Sequence, residues 1–409
     1  MDLRMAALNL HKSKRGKIEM RSKVKIEERY DLSLAYSPGV AEPCREISRD
    51  PSLAYEYTNK GNTVAVITDG TAVLGLGNIG PEAALPVMEG KALLFKEFAD
   101  IDAFPLCLNT QKEEEIVETI ARLAPSFAGI NLEDISAPRC FSIEEKLDAR
   151  LKIPVFHDDQ HGTAVIVLAG LLNALRVVGK KIEEVKIVVN GAGAAGQAIT
   201  RLLYKAGARR LRICDLPGIL YPNLEGIDPH QRRLAELTNA EGEQGDLSFA
   251  LQGADVLIGV STGHIVTGEM VKAMAPRAII FAMANPDPEI DPAEAKLNGA
   301  AIVGTGRSDQ PNQINNLLGF PGIFRGALDV RAKKISEGMM MAAARAIAGL
   351  IKPEELSVDY VVPSPFDRRV VPVVALAVGV QALKEGLAGL ALSVEELKAG
   401  LVERFGPWE

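Results

Sequence analysis

Residues 185–215 read VKIVVNGAGAAGQAITRLLYKAGARRLRICD, and this stretch decides the fold. An alternating apolar run, VKIVV, meets the glycine turn GAGAAG; a series of helix formers follows, then a second apolar run that ends on Asp215. Strand, glycine turn, helix and strand in that order form the dinucleotide-binding unit of a doubly wound α/β sheet. In it the third glycine lets the helix approach the strand, and the helix N-terminus faces a pyrophosphate. The expected cofactor contacts are therefore Gly191, Gly193, Ala194, Ala195 and Gly196. Asp215 stands where a carboxylate bonds the ribose hydroxyls of NAD and repels a 2′-phosphate. Arg212 and the nearby Arg209 and Arg210 could soften that repulsion, so the expectation is NAD, with NADP the alternative.

A second GxGxxG lies upstream, at Gly75, Gly77 and Gly80, with Asp100 and Asp102 at about the spacing a ribose-binding acid would have. Spacing does not separate the two; context does. Pro81 follows the last glycine directly, and Pro86 is expected to break the helix a nucleotide site needs. A tight structural or substrate loop is the expected role of this first fingerprint.

Outward from residue 185 the pattern continues in both directions. DVLIGV, AIIFAMANP and AAIVGTG supply further strands, and from about Ser336 the signals are helical. Upstream, NTVAVIT, IDAFPLCL, SFAGINL and IPVFHD alternate with helical stretches such as KEEEIVETIARLA, which implies parallel strands joined by crossover helices. The expected fold is α/β, with an N-terminal domain over 1–161 and a Rossmann-type doubly wound domain with C-terminal helices over 162–409. A chain of 409 residues, 47% hydrophobic, is long enough for two or three such cores.

Charge and cysteine usage exclude several classes. The net charge is −7, and the one basic segment, His11 to Lys25, is followed at once by acids, so no nucleic-acid partner is expected. The run Thr163–Val178 carries Asn173 and Arg176 and falls short of a membrane span. The N-terminus lacks a secretory pattern, and Cys44, Cys107, Cys140 and Cys214 are widely spaced. A cytoplasmic protein is expected.

Two acidic pairs carry the chemistry. Glu133-Asp134 and Asp158-Asp159 each follow a short apolar run, so both sit at strand ends, where side chains converge on a cleft. Taken singly, each pair is as well explained by a solvated turn or a helix cap. Carboxylates without Cys or His partners are hard oxygen donors that suit Mg²⁺ or Mn²⁺ rather than zinc. His157 and His161 flank the second pair, but at no spacing that favours imidazole ligation.

Over essentially its whole length the chain resembles the malic enzymes of the short prokaryotic type. The resemblance rests on AYSPGV (35–40), TDGTAVLGLGNIGP (68–81), EGKALLFKEF (89–98), NLEDISAP (131–138), HDDQHGTA (157–164), GAGAAG, ANPDPEI (284–290) and NNLLGFPG (315–322). It implies an oxaloacetate-decarboxylating malate dehydrogenase, which converts L-malate to pyruvate and CO₂ with NAD (or NADP) and Mg²⁺ or Mn²⁺. A malolactic enzyme or an oxaloacetate decarboxylase on the same scaffold is the alternative.

By the same resemblance Glu133, Asp134 and Asp159 are metal ligands, and Asp158 supports them or orients the base. Lys91 is the general base and Tyr36 the general acid. Asn285 contacts nicotinamide and malate, as does Asn316, or its neighbour Asn315. Without the family, Lys91 would read as a surface lysine and Tyr36 as a turn aromatic. A lysine base requires burial and a nearby cation to lower its pKa.

One position departs from the pattern. Longer malic enzymes carry an arginine for a malate carboxylate after TDG, where this chain has Ala72. Arg21, Arg45 or a residue of a neighbouring subunit are candidates instead. The resemblance implies a homodimer or higher homo-oligomer, in which the segment carrying Tyr36 could serve a partner's site.

Overall fold

The computed structural model of the chain describes residues 3–73 and 75–408. Four helices, α1 (Leu3–Lys14), α2 (Arg29–Ala35), α3 (Ala41–Arg49) and α4 (Ala54–Tyr57), precede the first sheet, and none of them buries a residue. Then come β1 (Thr63–Thr68), α5 (Pro81–Ala99), β2 (Asp102–Cys107), α6 (Glu113–Leu123), β3 (Gly129–Leu132), α7 (Arg139–Arg150) and β4 (Val155–His157). These strands pair in parallel in the order β2-β1-β3-β4. TVAVIT is buried at every position, as expected of a strand with helices on both faces and no wet side.

A turn from Asp158 to Gly162 leads into α8 (Thr163–Val178) and the second sheet. Its elements are β5 (Lys186–Asn190), α9 (Ala194–Ala206), β6 (Arg210–Asp215), β7 (Gly218–Ile219), α10 (Pro229–Thr238), α11 (Leu247–Leu251), β8 (Val256–Gly259), α12 (Gly268–Lys272), β9 (Ala278–Ala282), α13 (Pro292–Leu297) and β10 (Ala300–Thr305). The order is β10-β9-β8-β5-β6-β7, parallel except for β7. Strand order therefore reverses beside β5 in this sheet and beside β1 in the first. In open α/β sheets the crevice at such a reversal, outside the carboxyl ends of the strands, is where ligands sit.

The C-terminal helices α14 (Phe320–Asp329), α15 (Glu337–Gly349), α16 (Val370–Lys384) and α17 (Val394–Phe405) pack back across both sheets. Phe95 of α5 meets Phe320 and Phe324 of α14 edge-on, at ring-centroid distances of 4.8 and 5.2 Å, and Phe324 reaches Phe156 of β4 at 5.7 Å. This aromatic joint ties the first sheet to the C-terminal helices.

Two sequence expectations fail here. Pro86 does not break a helix: α5 runs unbroken through it from Pro81. A proline so near the start removes a single bond, to the Glu82 carbonyl, and packing against the sheet holds the rest. The apolar run at 163–178 is also longer as a helix than as a sequence, because the preceding turn is itself helical. From Asp158 to Val178 the helix has 21 residues, long and apolar enough to cross a membrane by length and composition. In its most apolar stretch 72% of the residues are buried within the protein, as in a core helix. Its polar Asn173 is satisfied at both ends: Nδ2 donates to the Ala348 and Val361 carbonyls and Oδ1 accepts from Arg176, all at 3.0 Å.

Replacing Phe95 with Ala removes the centre of the aromatic joint and is expected to cost about 3–5 kcal/mol of stability. Urea unfolding of the variant checks this, and a loss below about 1 kcal/mol would show that the joint contributes little.

Candidate active site

The carboxyl ends of β3 and β4 deliver the acidic residues to one place, beside the carboxyl end of β1. After β3 the chain turns through Asp134, whose φ of +54° is a left-handed conformation that Asp tolerates. Its N–H then donates to Asp159 Oδ2 at 2.8 Å, and its carbonyl accepts from Ala72 N–H at 3.0 Å, so the three strand ends are stitched together. One carboxylate oxygen each from Glu133, Asp134 and Asp159 lies within 4.8 Å of the others. They are the three residues that the resemblance implies as metal ligands, and neither histidine joins the group. His157 is fully buried beside Asp159 at 3.8 Å, while His161 turns away to Glu144 at 2.9 Å.

Lys91 enters the cluster from α5 and is buried there. Its Nζ donates to Asp158 Oδ2 at 2.5 Å and to Glu133 Oε1 at 3.0 Å, and lies 4.0 Å from the centre of the Phe320 ring. Burial alone would lower its pKa. The Asp158 and Glu133 carboxylates outweigh burial and hold it above the ordinary lysine range, opposite to what a base requires. Glu133 is pushed the other way, well above the usual carboxylate range, by burial and by the surrounding acids, against the pull of Lys91.

Asn316, not Asn315, reaches this cluster. Its Nδ2 donates to Asp158 Oδ2 at 3.0 Å and its Oδ1 accepts from Thr163 at 3.2 Å, whereas the Asn315 side chain caps its own turn by accepting from Leu317 N–H. Asp158 fits between Lys91 and Asn316 only because residue 162 is glycine, where a Cβ would stand 2.0 Å from Asp158 Oδ1.

The second sheet builds the neighbouring cleft. At Gly196 a Cβ would come 1.7 Å from the Gly191 carbonyl oxygen, so the turn into α9 closes only with glycine there. Gly193 N-caps α9 without a side-chain cap, which leaves the first N–H groups, Ala194 and Ala195 among them, open to an anion. Asp215 ends β6, where its carboxylate accepts from Leu216 N–H at 2.9 Å and from Gln231 Nε2 at 3.0 Å. The three arginines near it in sequence are engaged elsewhere. Arg212 pairs with Glu243, and Arg209 and Arg210 donate to backbone carbonyls around Ala208 and Glu184.

Asn285 lies exposed just beyond β9, and the loop it belongs to is fixed by a residue the sequence did not flag. Fully buried Glu289 accepts from Ser261 N–H at 2.9 Å and Ala284 N–H at 3.1 Å, joining the ends of β8 and β9. Arg139 was also missed. It pairs with Asp69 at 2.8 Å and donates to Thr71 at 3.0 Å, holding the loop after β1. That loop closes on itself, with Val73 N–H to Gly77 O at 3.0 Å and Gly80 N–H to Gly70 O at 3.2 Å, the tight loop expected of the first fingerprint.

Three expected participants stay outside the cluster. Tyr36 is the C-cap of α2 and is 69% exposed. Arg45 is exposed and engaged with Glu42 on its own helix, and Arg21 is exposed as well. All three belong to the N-terminal segment that buries nothing within its own chain, so their separation follows from what that segment lacks to pack on.

Comparison with known proteins identifies the family. Residues 15–148 match the family model described as malic enzyme, N-terminal domain, and residues 160–383 match malic enzyme, NAD binding domain. The chain is 57% identical over 400 residues to the bifunctional malic/malolactic enzyme of Bacillus subtilis, covering 97% of each. It is 56% identical over 373 residues to the NAD-dependent malic enzyme of Geobacillus stearothermophilus, covering 91% of this chain and 78% of that protein. Among solved structures, the malic enzyme from Pyrococcus horikoshii superposes with a TM-score of 0.94 at 51% identity, covering 98% of this chain and 95% of that one.

Replacing Gly162 with Ala drives the Asp158 carboxylate off Lys91 and Asn316. Turnover is expected to fall about a hundredfold or more, the usual cost of an ångström-scale misplacement. Dinucleotide affinity, set in the other sheet, is expected to stay at the wild-type value. Steady-state kinetics beside a nucleotide titration checks both.

Proposed function

The chain belongs to the malic enzyme family, and on that premise we propose how its residues divide the work of oxidatively decarboxylating malate to pyruvate and CO₂ with NAD(P). Glu133, Asp134 and Asp159 hold Mg²⁺ or Mn²⁺. The observation that carries this reading is the charge of the cluster: four carboxylates, counting Asp158, gather around the single ammonium of Lys91. Such an excess of largely buried carboxylates calls for a cation, and an all-oxygen donor set selects a hard one. A cation bound there supplies Lewis-acid polarisation of the substrate's C2 oxygen.

The remaining roles fall to the chain's own groups. Lys91 takes the C2 hydroxyl proton; a cation held by the neighbouring carboxylates would offset the field that keeps the ammonium protonated. Asp158 and Asn316 aim Lys91. GAGAAG and the N-terminus of α9 would hold the pyrophosphate of NAD(P), with Asn285 toward its nicotinamide, and the bound cofactor would supply the acceptor for the C2 hydride. Tyr36 returns a proton to C3 after the carboxylate leaves.

Tyr36 acts from a second subunit in this proposal. What supports it is the exposed apolar character of the segment around it, including Leu32 at 48% and Leu34 at 58%, which a homodimer interface would cover. The basic group that replaces the missing arginine at Ala72 comes from the same quarter. NAD is the preferred cofactor in this proposal, because Asp215 is anchored and Arg209, Arg210 and Arg212 are each engaged elsewhere. The four cysteines are free thiols, which fits a cytoplasmic protein.

A second reading has one observation in its favour, the bifunctional malic/malolactic name of the Bacillus subtilis relative. The same site would then also release lactate. Incubating the protein with malate and NAD or NADP, with and without Mn²⁺, separates the readings. NADH with pyruvate, abolished by a chelator and restored by Mn²⁺, is expected; lactate without net NADH would favour the second, and no metal-dependent turnover would sink both.

Complementation tests the shared site. Lys91→Ala and Tyr36→Phe proteins are each expected to be inactive in malate decarboxylation. When they are co-expressed, half of the dimers are mixed and one site in each is complete, giving about a quarter of wild-type activity. Activity no higher than that of the separate variants would place Tyr36 in its own chain's site.

A further inference from the structure

The turn that carries Asp158 and Asp159 is held from behind by a residue with no role so far, Glu144 on α7. The Glu144 carboxylate accepts the backbone N–H of His157 at 2.8 Å, Gln160 Nε2 at 3.0 Å and His161 Nε2 at 2.9 Å. These donors bracket the two aspartates on both sides in the sequence HDDQH. The turn is a π turn, in which the Thr163 N–H returns to the Asp158 carbonyl five residues back. Such wide turns are rare and depend on outside partners to persist.

The position of Glu144 makes those partners specific. Asp158 and Asp159 are adjacent in sequence yet must face different groups: Asp158 meets Lys91, while Asp159 meets the Asp134 N–H. Mutual repulsion among the clustered carboxylates acts to push the turn outward. Glu144 pulls it back from the far side, where it borders a cavity of about 510 Å³ that also contains Phe141, Phe156, His161 and Arg201. The side chain is 14% exposed and its three bonds are the only ones it makes among the described residues.

We infer that Glu144 is a positioning residue: by gripping both ends of the 157–161 turn it sets where Asp159 offers its oxygen to the cation and where Asp158 holds Lys91. This rests on the metal site proposed above. A carboxylate is required because it accepts all three donors at once; a glutamine has one carbonyl oxygen and would present its own N–H groups to two donors.

Three variants, Glu144→Gln, Gln160→Ala and Asp159→Asn, test it, with Mn²⁺ affinity measured by electron paramagnetic resonance of the free ion and NAD affinity measured in parallel. Glu144→Gln is expected to bind Mn²⁺ about 10–100-fold more weakly, the range seen when a group that orients a metal ligand is lost, and to bind NAD as the wild type does. Asp159→Asn is expected to lose Mn²⁺ binding outright. If Asp159→Asn loses Mn²⁺ but folded Glu144→Gln binds it as the wild type does, Glu144 merely stabilises the fold and the inference is wrong. Should Asp159→Asn bind Mn²⁺ normally, the metal site itself is misassigned and the inference goes with it. If Glu144→Gln does not fold, Gln160→Ala decides: removing one of the three bonds is expected to weaken Mn²⁺ binding at least about threefold, and unchanged affinity overturns the proposal.

Discussion

Four carboxylates, three of them buried, crowd around the one ammonium of Lys91, and the fold is arranged to bear that charge. A buried charge is costly unless it is paired and hydrogen-bonded, and here the acids outnumber the base. Every element near the cluster answers that problem. Two strand ends, those of β3 and β4, supply the carboxylates, α5 brings Lys91, Asn316 and the Asp134 N–H donate hydrogen bonds, and glycine at 162 leaves Asp158 room to receive them. What remains is a concentrated negative charge facing the crevice, which is the condition for holding a divalent cation.

The two sheets solve one geometric problem twice. In each, strand order reverses beside a central strand, β1 in the first and β5 in the second, and a crevice opens at the carboxyl ends. The first crevice gathers acids and the second gathers glycines and helix N–H groups. Placing malate beside a nicotinamide requires the two crevices to adjoin. The long buried helix from Asp158 to Val178 does this directly, since its first residue is a cluster acid and its last turn leads into β5. On the other side α14 begins at Phe320, against Lys91, and carries the aromatic joint to β4.

The parts of this arrangement set by local pattern were legible in the sequence. The acid pairs follow short apolar runs, so their place at strand ends could be read, and GAGAAG sits in a strand–turn–helix context that only one use explains. Contacts between distant segments were not legible. Pro86 reads as a breaker until the sheet under α5 is known, and Asn315 and Asn316 differ only in which one the fold turns toward Asp158. Glu144, Arg139 and Glu289 lie in ordinary helical or loop sequence, and their partners are the backbone and side chains of other segments. For Lys91 the base role implied by the resemblance required burial, which lowers a lysine's pKa, but no local pattern carried the count of acids around it, which raises it. Tyr36 was assigned by resemblance alone, and its exposure raises the matter of a second subunit, which no single-chain pattern contains.

The most direct test of the central claim is anomalous diffraction from a crystal of the protein grown with Mn²⁺. A single strong peak bounded by the carboxylates of Glu133, Asp134 and Asp159, with Lys91 and Asp158 beside it, is the result this account requires. A well-ordered cluster with no peak there, under Mn²⁺ concentrations that support turnover, would contradict it.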